Sequence, residues 1–136
     1  MNIVEASNMF YGLLTADSDL MAALGGRVYN GKRSDGRETE ECIVVNTPWS
    51  DHTTPQEGYS NINIHVPDIP VTIDGVEQMQ PDTHRISALT NLVMAVLESA
   101  TVEGVSWERP QETLIQEAAH GEHYNNLRIE WINCNK

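Results

Sequence analysis

"YSNINIHV", Tyr59–Val66, is the stretch on which the fold turns. Ile62, Ile64 and Val66 alternate with Asn61, Asn63 and His65, the period-2 pattern of a strand with one face buried and one toward water. Such a strand needs partner strands beside it and a second layer over its apolar side. Pro67 and Pro70 close it. Upstream, "CIVVNTPWS" is a second strand, with β-branched Ile43, Val44 and Val45 and with Pro48 as its boundary. "DHTTPQEG" between the two reads as a loop. Downstream, "VTIDGVEQM" reads as a small hairpin about Asp74-Gly75 or as a loosely ordered excursion, and the turn dipeptide favours the hairpin.

The layer over the sheet comes from helices. In "NIVEASNMFYGLLTADSDLMAALGG", Ile3, Ala6, Phe10 and Leu13 or Leu14 fall on one helical stripe. A break follows near Thr15–Asp17. Asp17 is an N-cap for a second short helix, in which Leu20, Ala23 and Leu24 face inward. Gly25 or Gly26 is expected to end it in the left-handed conformation. "RVYNG" is then a short strand stopped at Asn30-Gly31. "PDTHRISALTNLVMAVLESA" is the long helix, opened by Pro81 and Asp82, with Ile86, Leu89, Val93, Val96 and Leu97 as its apolar stripe.

"VEGVSWERP" carries a strand with Val105 and Trp107. In "QETLIQEAAHGEHYNNLRIEWINC" the first half has helix-like propensity, so residues 112–119 are open between helix and strand. Alternation of Leu127, Ile129 and Trp131 favours a long hairpin turning at Gly121. The order predicts an α+β class, with N-terminal helices and one long central helix packed on a mostly antiparallel β-sheet, residues 1–136 forming a single domain. Trp49, Trp107 and Trp131 are expected to be the large pieces of an otherwise aliphatic core.

The chain has 136 residues, with 8 basic against 20 acidic side chains and a formal net charge of −12. That field opposes binding to nucleic acid or anionic lipid. No apolar run reaches the ~20 residues of a membrane span. The N-terminus lacks a signal-peptide layout, with Glu5 and Asn8 interrupting it, so the expectation is a cytosolic, mature chain. Lys32, Arg33 and Arg37 cluster, but Asp35, Glu38, Glu40 and Glu41 dilute them, as in a solvated loop. Cys42 and Cys134 make no CxxC unit. Cys42 reads as a small residue at a strand start and Cys134 as an exposed one.

Candidate chemistry is thin. Gly25-Gly26 followed by Lys32 invites comparison with a phosphate loop. Such a loop runs from a strand into a helix N-terminus, however, and here the glycines follow a helix and precede a strand. His120, Glu122 and His123 form the best metal lookalike, two imidazoles and a carboxylate. Their i,i+3 spacing about a glycine is not the i,i+4 of helical ligands, and they read as polar residues of an exposed turn. His52, His65 and His84 stand singly and read as surface residues. Ser60, Ser87 and Ser106 lie in no Gly-x-Ser-x-Gly elbow. Asp17 and Asp19, or Glu38, Glu40 and Glu41, are carboxylate groupings that a cap and a loop explain. No catalytic, cofactor-binding or metal residue is assigned, and the expectation is a protein that is not an enzyme and needs no cofactor.

The block "FYGLLTADSDLMAALGGRVYNG", followed by "ETEECIVVN" and later by a long helix and C-terminal strands, resembles the tail-terminator or tail-completion (head–tail joining) proteins of tailed bacteriophages. The likeness is concentrated in the first 46 residues and continues as element order. It implies a small α+β virion subunit in the tail or neck, assembled in the host cytoplasm. Such a subunit forms a hexameric ring, a homo-oligomer that caps the tail tube and joins it to the head connector. Ring closure requires a heterologous interface. Lys32–Glu41, Ser50–Gly58 and Pro67–Gln80 are candidate interface loops, the last with Ile69, Val71 and Met79 exposed. DNA would pass through the lumen without specific binding, and acidic walls suit that passage. Alternatives are another neck or head-completion subunit, a small metal-dependent hydrolase using His120, Glu122 and His123, or a generic acidic binding module or inhibitor.

Overall fold

The computed structural model describes residues 1–135. Helix α1 (Ile3–Thr15) starts on a reciprocal cap: Asn2 accepts from the Glu5 N–H at 2.8 Å, and the Glu5 carboxylate accepts from the Asn2 N–H at 2.9 Å. Ala6, Phe10 and Leu14 are buried as expected, but Ile3 is 44% exposed, because in the first turn Ala6 is the first stripe residue to reach the core. Asp17 caps α2 (Ser18–Ala23) through the Leu20 N–H at 2.9 Å.

The expected left-handed glycine stop is absent. Leu24 leaves the helix with extended backbone, φ −70 and ψ 123, and neither Gly25 nor Gly26 has positive φ. The glycines answer a close approach instead. A Cβ on Gly26 would stand 1.8 Å from the Glu41 carbonyl oxygen. The Gly25 N–H donates to the Glu41 carboxylate at 2.5 Å. Arg85 donates to the same carboxylate at 2.5 and 2.9 Å and also reaches the Ala23 carbonyl. One carboxylate thus gathers the end of α2, the entry to the sheet and the start of the long helix.

The strands are β1 (Val28–Asn30), β2 (Cys42–Ser50), β3 (Gln56–Pro67), β4 (Ile69–Ile73), β5 (Val76–Gln80), β6 (Val105–Trp107), β7 (Gln111–Glu117) and β8 (Glu122–Asn133); α3 (Thr83–Ser99) lies between β5 and β6. The main sheet runs β1-β2-β3-β8, with β6 and β7 sharing the outer side of β8. Among the described residues only β1 on β2 is parallel; the other pairs of this sheet are antiparallel. β4 and β5 form a separate two-stranded sheet. Residues 112–119 resolve as strand β7 up to Glu117 and then a 3-10 turn, Ala118–His120, ending at left-handed Gly121, φ 60.

Two prolines behave differently from the sequence expectation. Pro48 does not end β2; a register shift between Asn46 and Trp49 absorbs it, and the strand runs on to pair Ser50 with Gly58. Gln56–Gly58, expected as loop, are therefore β3. Pro70 lies inside β4 rather than closing β3.

Register fixes the core. Ile43, Val45, Ile62, Ile64, Leu127, Ile129 and Trp131 share one sheet face and pack with Phe10, Leu14, Leu20, Leu89, Val93 and Leu97 of the three helices. The architecture is α+β, helices on one face of a mostly antiparallel sheet. Of the tryptophans only Trp131 is fully buried; Trp107 is half-buried against Phe10, ring centroids 5.3 Å apart, and Trp49 is 46% exposed on the opposite face. A buried polar chain crosses this core: Trp131 Nε1 donates to Ser60 Oγ (3.1 Å), Ser60 and Thr47 share a hydrogen bond (2.7 Å), and Ser7 donates to Thr47 (2.8 Å). It satisfies the indole N–H and hydroxyls that burial would otherwise leave costly.

Candidate functional site

The helix-free face of the sheet carries the polar half of the alternation. Asn46, Asn61, Asn63 and Asn126 join across β2, β3 and β8: Asn61 donates to Asn46 (3.2 Å), and Asn126 donates to Asn61 (3.2 Å) and Asn63 (2.7 Å). Beside this ladder Trp49 stacks on Tyr59, centroids 6.1 Å apart, and the Arg128 guanidinium lies 3.9 Å from the Tyr59 ring centre.

At the other end a buried charge cluster forms where the chain reading gave only surface residues. Glu122 is 2% exposed. Its carboxylate accepts from Arg33 Nη2 (2.9 and 3.0 Å) and lies 3.0 Å from His65 Nδ1. Arg33 also donates to Cys42 Sγ (3.1 Å) and the Glu38 carbonyl (2.9 Å), and His65 stacks on Tyr124, centroids 4.7 Å apart. Burial alone would push the Glu122 carboxyl up; the hydrogen bonds and charges of His65 and Arg33 outweigh it and hold it below its ordinary value. Burial pushes the Cys42 thiol up despite Arg33, which keeps it a thiol and a poor nucleophile. The cluster works as a latch. It pins the loop 32–41, otherwise solvated as expected through the exposed pairs Lys32–Asp35 and Arg37–Glu40, onto the sheet.

His120, Glu122 and His123 are not brought together as a ligand set. Successive strand residues point to opposite faces, so Glu122 turns to the open face while His123 turns back and meets Asp68 at 2.6 Å. His120 is exposed in the 3-10 turn. No group of three metal-capable side chains occurs among the described residues. No local sequence signal marks the latch, because the register that places Cys42, His65 and Tyr124 side by side, with Glu122 two residues along β8, is set only by sheet assembly.

The third feature is the β4–β5 hairpin. Asp74 (φ 51) and Gly75 (φ 78) both adopt the left-handed backbone of its tight turn. Its register puts Ile69, Val71, Ile73 and Val76 on one face together with Gln78 and Gln80, while Thr72, Glu77, Pro70 and Met79 occupy the other. Ile69, Ile73, Val76 and Met79 are exposed. The root is fixed to the β7–β8 turn, where the Asp68 N–H donates to the Gly121 carbonyl (2.9 Å) next to the His123–Asp68 contact. No helix is long and apolar enough to cross a membrane among the described residues.

No protein-family model matches this chain. No curated protein matches it either.

Proposed function

We propose that this chain is a structural virion subunit of a tailed bacteriophage, a tail terminator or tail-completion protein whose copies close into a ring on the tail tube and meet the head connector. The observation that carries this reading is the β4–β5 hairpin, a ribbon outside the main sheet with Ile69, Ile73, Val76 and Met79 exposed and Val71 half-buried. A two-stranded hairpin is marginal alone in water, and exposed apolar surface of this kind marks an interaction site. The N-terminal order of helix, capped short helix, close-packed glycines and strand agrees with the family likeness. An excess of acidic side chains suits a lumen that duplex DNA must slide through without being held.

The role is one of assembly rather than catalysis, and the buried latch is part of the scaffold. Electron microscopy of tail-tube subunits polymerised with and without the protein tests it. Tubes of limited length capped by a six-fold ring are the expected result; unrestricted tube growth in its presence refutes the reading.

A further inference from the structure

We infer that the β4–β5 hairpin of one copy docks along the free edge of β7 in the next copy, with its apolar face in the groove between β7 and α3. This rests on the proposed ring assembly and names its contact.

The receptor is visible in the same fold. β7 pairs with β8 on one side, and its seven residues leave the other side open. Its mid-strand Leu114 is 51% exposed. Leu114 lies on the helix side of the sheet, opposite Asn125. Between it and α3 runs a groove of about 460 Å³ whose apolar walls are Ile86, Met94 and Leu114. Asn125 at its floor is already satisfied, donating to Thr90 (3.0 Å) and Glu112 (2.9 Å). The groove therefore offers a strand edge and an apolar strip, Ile86, Met94 and Leu114, set among polar side chains such as Ser87, Asn91 and Arg109.

The hairpin supplies the complement. Its apolar face, Ile69, Val71, Ile73 and Val76, would continue the apolar layer beneath α3, while its backbone extends the sheet past β7. Each hairpin strand spans roughly 17 Å, shorter than the roughly 23 Å of β7, so the edge accommodates it. The ribbon carries Asp74 and Glu77 and no basic residue. Arg109, which lines this groove, is 76% exposed with Glu98 3.7 Å away and is the cation within reach of them, while Glu112 on the same lining is engaged by Asn125. Donor and acceptor are different patches of one chain, kept in separate sheets within it, so the contact is head-to-tail and propagates around a ring.

The test uses full-length chains in a Cys134→Ser background. Val76→Cys chains are mixed with Leu114→Cys chains under mild oxidation, with Ile3→Cys chains replacing the latter as control. A cross-link between the first two and little with the control is expected. Ile73→Asp with Val76→Asp should lower the assembled fraction at least tenfold while leaving the unfolding temperature unchanged, since these side chains lie outside the core. Rings that form without the cross-link, or that survive the double substitution, overturn the docking and leave the ring reading standing. A specific cross-link in open filaments, with tubes left uncapped, supports the docking and overturns the ring. Chains that stay single at all concentrations and on tubes, without a cross-link, overturn both.

Discussion

The indole of Trp131 occupies the space that a side chain at Gly58 would need: the two residues are direct partners across β3 and β8, and a Cβ on Gly58 would lie 2.3 Å from the Trp131 ring. Trp131 is the largest fully buried side chain, and its N–H anchors the polar chain through Ser60. Gly58→Ala is therefore expected to displace the ring and cost about 2 kcal/mol through overpacking. Urea unfolding followed by tryptophan fluorescence checks it; an unchanged midpoint would show that the ring moves aside freely.

The adjacent glycines should separate cleanly. At Gly26 an added Cβ meets the Glu41 backbone carbonyl at 1.8 Å, whereas at Gly25 it meets only the end of the Glu41 side chain at 3.0 Å. Gly26→Ala is expected to destabilise by about 3 kcal/mol and Gly25→Ala by under about 1 kcal/mol. Equal losses in thermal unfolding would mean that both glycines serve conformation, as a helix stop would require.

Acid should open the latch. The Glu122 carboxyl sits below its ordinary 4.5 in the fold, so its contribution is complete above that value and is lost as pH falls through its lower native one. Glu41, lowered by Arg85 and the Gly25 N–H against its burial, adds a loss of the same sign. Urea midpoints measured from pH 6 down to pH 3 should fall steeply in the wild type. In Glu122→Gln the fall should be shallower, keeping the Glu41 share. Removing one partner at neutral pH, Arg33→Ala, should cost about 3 kcal/mol by stranding a buried carboxylate. A pH profile identical in wild type and Glu122→Gln would remove Glu122 from the account.

Zinc should not bind at the His-Gly-Glu-His turn. Glu122 is engaged by Arg33 and His65, and His123 faces Asp68 on the other side of the strand. Calorimetric titration is expected to show no stoichiometric site, in the wild type as in His120→Ala. Tight one-to-one binding lost on that substitution would restore the metal reading.

Several elements were legible from local pattern alone. The alternation of Ile62, Ile64 and Val66, the Asp17 cap, the Asp74-Gly75 turn and the stripe Ile86–Leu97 fix strand, helix start, hairpin and long helix through nearest-neighbour stereochemistry. Those rules depend on a few adjacent residues, so one sequence suffices to state the α+β class.

What the sequence could not determine was whatever depends on register between distant strands. His65 and Glu122 lie 57 positions apart, and Arg33 and Glu122 lie 89 apart. They meet because antiparallel pairing puts His65 opposite Tyr124 and Pro67 opposite Glu122, a consequence of the whole sheet closing on its core. The same holds for Gly26, whose need for a bare Cα comes from a carbonyl at Glu41, and for the hairpin, whose apolar face counts as exposed only once the core is seen to close without it. Local periodicity sets which elements form and which way they face; the long-range packing of those faces decides which polar groups are buried together and which apolar ones remain for a partner.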